Sequence, residues 1–205
     1  MPQSGIDFST YLAELKGVLD NLPLGQVRKA CDILFDCYQS DHTLFALGNG
    51  GSAALASHLV TDFAKGTHFP GPSELAAVRR LKAMAVTDNM PLVTAWANDT
   101  CYEDVFMRQL ENFLRPGDVV LAISGSGNSP NVLKALEFAR SAGATTIGFG
   151  GFEGGKMKAL LDCPVIAPSN SMQQIEDAHV ILGHMIFLDL KGRITALAAA
   201  TTQPS

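Results

Sequence analysis

Two glycine- and serine-rich stretches, Gly48-Asn49-Gly50-Gly51-Ser52 and Ser124-Gly125-Ser126-Gly127-Asn128-Ser129, each follow a short apolar run and precede a helical pattern. Glycine lets the backbone turn tightly and approach a ligand closely. The hydroxyls add donors, and the start of the following helix adds free N–H groups and a positive dipole end. This combination suits an anion such as a phosphate monoester. Neither stretch continues as GK[ST] and neither is a G-x-G-x-x-G followed by an acid, so a nucleotide is disfavoured. One such stretch fits an ordinary capped turn equally well. Two of them, both at the carboxyl edge of one parallel sheet, point to a ligand site.

A second set of residues has metal-ligating chemistry. His58 and Asp62 are four apart on one helical pattern; Glu176 and His184 are eight apart on another, with His179 one turn from Glu176. Residues four apart share a helix face, and eight apart is a little over two turns. Two imidazoles and two carboxylates are a plausible ligand set for a borderline divalent ion such as zinc. The same spacings also fit a solvated His–Asp pair and, for His184 within ILGHMIF, a hydrogen-bonded core histidine. Spacing alone does not bring the two helices together.

The elements that must position these residues alternate along the chain. Thr43–Leu47, Lys82–Val86, Val119–Ile123, Thr145–Phe149 and Pro164–Ala167 are short, apolar and bounded by Gly, Asp, Asn or Pro, as in buried parallel strands. Helical patterns lie between them at Ala53–Phe63, Pro91–Ala97, Glu103–Leu114, Asn131–Ala142 and Gly155–Leu161, and a last one runs from about Gln173 to Leu197, before the polar tail TTQPS. Strands alternating with helices predict a three-layer α/β/α sandwich around a five-stranded parallel sheet. A pair of helices over about residues 7–39 precedes the α/β core of about residues 42–197, and residues 1–205 read as one domain.

The 205 residues are 47% hydrophobic and 17% charged with a net charge of −5, which excludes a disordered chain and gives no reason to expect nucleic acid or an anionic membrane as partner. Four cysteines form no C-x-x-C pair and read as reduced thiols. The N-terminal stretch lacks the basic start and apolar run of a signal peptide, and no run of 18 apolar residues occurs, so a cytoplasmic location is expected.

GNGGSAALASH, TDN…AWANDTCYEDVF, ISGSGNSPNV, GGKM and IEDAHVILGH occur in that order over nearly the whole chain. Together they resemble the phosphoheptose isomerases, a branch of the sugar isomerase (SIS) domain superfamily with a flavodoxin-like fold. The resemblance implies that Asn49, Gly50, Gly51 and Ser52 line a sugar-phosphate site, that Ser124, Gly125, Ser126 and Ser129 hold the phosphate, and that Asn98 and Asp99 contact substrate hydroxyls. It further implies His58, Asp62, Glu176 and His184 as ligands of a divalent metal, often zinc, and a homotetramer.

Two residues depart from the best-known members: Asp62 stands where they carry Glu, and Glu176 where they carry Gln. Asp is one methylene shorter, about 1.5 Å less reach, whereas proton transfer needs heavy atoms about 2.6–3.2 Å apart. The expected activity is aldose–ketose isomerisation of a phosphorylated sugar, sedoheptulose 7-phosphate foremost. Asp62 is the expected base with Glu176 as its substitute, and His184 the expected acid. Loop amides, helped by Lys65, would serve the phosphate. The alternatives are a non-catalytic module that binds a sugar phosphate or a protein partner, and an isomerase of another sugar phosphate.

Overall fold

The middle strand, Val119–Ile123, is apolar at every position, and the sheet shows why. In a computed structural model, which describes residues 5–67 and 79–201, strands β1 (Thr43–Gly48), β2 (Lys82–Ala85), β3 (Val119–Ile123), β4 (Thr145–Gly150) and β5 (Cys163–Ile166) form a parallel sheet in the order β2-β1-β3-β4-β5. Successive side chains alternate between its faces. Leu44, Ala46, Leu121 and Ile123 turn to one core, and Phe45, Leu47, Val120 and Ala122 to the other. Both faces are covered by helices, so neither can be polar.

Helices α2 (Leu24–Gln39), α3 (Gly50–Gly66) and α7 (Met172–Thr201) cover the first face, through Leu34, Leu59, Phe63, Leu182 and Ile186 among others. On the second face lie α4 (Met90–Asp99), α5 (Met107–Phe113) and α6 (Pro130–Ser141), the last through Val132, Ala135 and Leu136. Helix α1 (Phe8–Asp20) starts where the Asp7 carboxylate accepts the Ser9 N–H, and its Val18 packs with Ile175 and Ala178 of α7. The expected three-layer sandwich with a preceding helical pair is the observed architecture. Of the tail TTQPS, all but its first residue lies outside the described residues.

The helix expected over Glu103–Leu114 is divided. A 3-10 turn, Tyr102–Asp104, comes first, and α5 starts only at Met107. The break falls where Asp104, 5% exposed, turns inward to pair with Lys134 of α6 and approaches Arg108 at 4.0 Å. The helix expected at Gly155–Leu161 is a short 3-10 helix, Lys156–Leu160, entered through Gly154 and Gly155 at φ 89° and 55°.

Leu34 is 1% exposed in the α2–α7 layer, far in sequence from both loops. Leu34→Ala leaves a cavity in a layer that cannot readily collapse, and is expected to cost about 2–5 kcal/mol of stability. Urea unfolding checks this.

Candidate active site

The strand order makes a crevice between β1 and β3. From β1 the chain leaves to one side of the sheet as α3, and from β3 it leaves to the opposite side as α6. Ligands of open α/β sheets bind at such a divergence, beyond the carboxyl ends of the strands. Gly48, the end of β1, pairs in register with Ile123, the end of β3, so the two loops start side by side.

Both following helices begin unusually. The N-cap residues are Asn49 for α3 and Ser129 for α6, residue types that normally cap with their side chains, yet neither side chain makes a capping hydrogen bond. The Ser129 hydroxyl has the Ser124 hydroxyl at 3.4 Å. Asn49 turns instead to Asn131, and the two amides exchange hydrogen bonds of 2.9 Å in both directions. In α3 the first N–H groups are thus left for an anion, whereas in α6 Pro130 has none and the Val132 N–H goes to Asn131 Oδ1, which leaves that of Asn131.

The second loop is held from outside. Gly151 N–H donates to the Gly125 carbonyl at 2.9 Å, Met157 N–H to the Gly127 carbonyl at 2.9 Å, and Lys156 N–H to the Asn128 side chain at 3.0 Å. Gly127 sits at φ 63°, and a Cβ there would stand 2.1 Å from the Gly154 carbonyl oxygen. Only glycine fits. The resulting cavity, about 320 Å³, is bounded by Asn49 to Ser52, by Ser124 to Ser126 with Ser129, and by Met172 and Glu176 from the first turns of α7. The four residues expected to line a sugar-phosphate site and the four expected to hold its phosphate therefore bound one space, and Glu176 bounds it too. Its Oε1 lies 3.5 Å from where a Cβ on Gly51 would stand.

The metal-type residues divide. His58 Nε2 and His184 Nε2 are 3.1 Å apart, and Asp62 Oδ2 lies 3.3 Å from the first and 3.8 Å from the second. Metal bonds of about 2.0–2.2 Å place neighbouring tetrahedral ligands roughly 3.3–3.6 Å apart, so the three donor atoms fit one small divalent ion with a position left open. They form a possible metal site, half exposed, with side-chain exposures of 48, 28 and 47% for His58, Asp62 and His184. Glu176 is not within this group. Eight residues of helix carry it about 12 Å along the axis from His184, to the loop cavity.

The approach of α3 to α7 that closes the triad depends on Gly183. A Cβ at that position would stand 2.3 Å from Leu59 Cδ2.

Other expected residues are placed differently. Asn98 and Asp99 are exposed near the end of α4, where Asn98 donates to Asp99 at 2.8 Å, and neither bounds the loop cavity. Lys65 belongs to the last turn of α3, about 20 Å along the helix from Ser52, and it does not bound the loop cavity. His184 is not a core histidine. That part is played by His179, 1% exposed, whose Nε2 lies 3.0 Å from the Gly150 carbonyl oxygen and whose Nδ1 has no partner among the described residues. Burial pushes its pKa down, and as a neutral ring it donates from Nε2. Asn131 and Tyr102, whose hydroxyl donates to Asn49 Oδ1 at 3.0 Å, lie within the ISGSGNSPNV and AWANDTCYEDVF stretches, but residue type alone did not single them out.

A doubly wound parallel sheet with two hydroxyl-bearing anion loops at its switch point defines the SIS domain class. The SIS domain family matches residues 10–151, well over half of the chain. A phosphoheptose isomerase of Trichlorobacter lovleyi is 39% identical over 160 residues, 78% of each chain. Another, of Clostridium acetobutylicum, is 35% identical over 179 residues, 87% of each. The solved structure of phosphoheptose isomerase GmhA from Neisseria gonorrhoeae has a TM-score of 0.80 at 28% identity, covering 90% of this chain and 96% of that one. The chain belongs to the phosphoheptose isomerase family of SIS domain proteins.

Hydrogen bonds to a charged acceptor contribute about 1.5–3 kcal/mol each. Replacing Ser124 or Ser126 with Ala is therefore expected to weaken inorganic phosphate binding by roughly 10- to 150-fold, read by calorimetric titration, with the unfolding midpoint little changed.

Proposed function

We propose that this protein isomerises sedoheptulose 7-phosphate to D-glycero-D-manno-heptose 7-phosphate. The observation that carries the reading is the loop cavity itself: two helix N-termini left uncapped by their own N-cap side chains, facing a carboxylate, Glu176, across about 320 Å³. Identity of 35–39% to named phosphoheptose isomerases supports the substrate.

The phosphate sits on the Ser124–Ser129 loop and the start of α6, and binding energy from this unreactive end orients a flexible open-chain sugar. Glu176, on the cavity wall and outside the His–Asp group, removes the proton from the carbon beside the carbonyl and returns one to its neighbour through an enediolate. Asp62, close to both imidazoles, serves as a ligand in this division of labour. His58, Asp62 and His184 would hold the divalent ion, zinc by their nitrogen-rich donor set, and when bound it supplies electrophilic stabilisation of developing oxyanion charge. His184, the acid expected from the sequence, belongs to the His–Asp group about 12 Å along α7 from Glu176, and in this division of labour it serves as a ligand. Asn98 and Asp99, exposed on α4, meet substrate hydroxyls only in an assembly that closes over the crevice.

A homotetramer is the assembly proposed. Its support is a set of exposed apolar side chains on α7: Leu188 at 65% exposure, with Val180 and Met185 each at 37%. Four free cysteines suit a reducing, cytoplasmic setting. No helix among the described residues is long and apolar enough to cross a membrane.

Metal-loaded protein incubated with sedoheptulose 7-phosphate should form the aldose; binding without turnover of any sugar phosphate would instead favour a non-catalytic module. Glu176→Gln is expected to lower kcat at least about 10²-fold, the low end for general-base catalysis, while keeping metal and substrate affinity. Full activity in Glu176→Gln, with loss in metal-replete Asp62→Asn, would move the base to Asp62. Elemental analysis should find close to one divalent ion per chain, lost in His58→Ala and in His184→Ala.

A further inference from the structure

We infer that Asn49 and Asn131 form a clasp that sets the spacing of the two anion loops, so that Asn49 acts as a positioning residue and Asn131 is its obligatory partner. The inference rests on the reading of this cavity as a sugar-phosphate site.

Asn49 belongs to the first loop, and Asn131 to the first turn of α6 directly after the second. Their amides face each other, with Nδ2 of each donating to Oδ1 of the other at 2.9 Å. The orientation of both groups is dictated by further partners. Asn131 Oδ1 also accepts the Val132 N–H at 2.9 Å, which only an oxygen can do, and Asn49 Oδ1 accepts the Tyr102 hydroxyl at 3.0 Å. Asn131 is 2% exposed, so losing its partner would leave a buried amide unpaired. Each oxygen thus accepts two hydrogen bonds, so the acceptor capacity of the pair is filled, and each Nδ2 spends one of its two N–H groups on the other amide.

The clasp acts where, among the described residues, no other side-chain hydrogen bond ties one loop to the other. Strands β1 and β3 pair up to Gly48 and Ile123, after which the chain leaves to opposite faces of the sheet. Beyond that point the distance between the two helix N-termini is unconstrained by the ladder, and the reciprocal amide pair bridges it. Holding Asn49 against Asn131 also keeps its side chain away from the α3 N–H groups it would otherwise cap. One interaction both spaces the donors and leaves them open.

The test is a double-mutant cycle on inorganic phosphate affinity by calorimetric titration, using wild type, Asn49→Ala, Asn131→Ala and the double variant. Each single change is expected to raise the phosphate Kd at least tenfold, and the double variant no more than threefold beyond the weaker-binding single. KM for the sugar phosphate should rise in parallel with kcat held within threefold, because Glu176 and the His–Asp group are not in the clasp. Leu34→Ala, a core variant remote from the loops, should lose stability with phosphate Kd unchanged, which separates loop spacing from general loosening. Should Asn131→Ala fail to fold, Asn131→Ser retains an acceptor for the Val132 N–H without the reach to Asn49, and is expected to show the same loss of affinity. Additive penalties would restore Asn49 as a direct contact, and an Asn131 variant within twofold of wild type would remove the clasp; either overturns the inference. Wild type that binds phosphate and shows the clasp yet fails to isomerise would sink the proposed activity alone, and wild type that binds neither phosphate nor sugar phosphate would sink both.

Discussion

Everything at the site descends from the parallel pairing of β1 with β3. A parallel ladder needs a crossover connection between its strands, and a right-handed crossover commits each following helix to one face. Because β2 lies on one side of β1 while β4 lies beyond β3, successive crossovers run in opposite directions. The helices that leave Gly48 and Ile123 therefore diverge, and the crevice between them is what remains. No side chain creates this opening; side chains only line it. The two cores then lock it, with Leu59 and Phe63 holding α3 to one face and Val132 and Leu136 holding α6 to the other.

Helix α7 is the second determinant. Ile175, Ala178, Leu182, Ile186 and Leu190 form its buried stripe, at the spacing expected of one helical face. Glu176 and His184 stand off that stripe and reach two different places, the loop cavity and the His–Asp group. His179 ties the helix to the sheet: its ring meets the Gly150 carbonyl, and the next N–H along the chain, that of Gly151, holds the Gly125 carbonyl of the phosphate loop. Helix α7, which carries Glu176, and the second Gly/Ser loop are thus joined through one peptide unit, Gly150–Gly151.

Most of the architecture was legible because it is written locally. Apolar runs bounded by Gly, Asp or Pro gave all five strands to within about a residue, and both Gly/Ser stretches stood out by composition. What the pattern missed depends on partners distant in sequence. The helix break before α5 is made by Lys134 meeting Asp104, and the commitment of Asn49 is made by Asn131, 82 residues away. The two α7 histidines show the limit most plainly. Both sit among apolar neighbours, and which one is buried follows from the rotation of the helix on the sheet. The division of the proposed ligand set has the same origin, since a shared helix face says nothing of the rise between its residues.

The His–Asp group is spaced by contact rather than by covalent design. Leu59 is the chain neighbour of His58, Gly183 is the neighbour of His184, and these two residues touch where α3 crosses α7. A methyl group at position 183 would wedge the helices apart just where the imidazoles must converge. The radius of ion that the three donors can enclose is therefore set by hydrocarbon packing one residue away from each histidine: the gauge of the cage lies in its hinge, not in its bars.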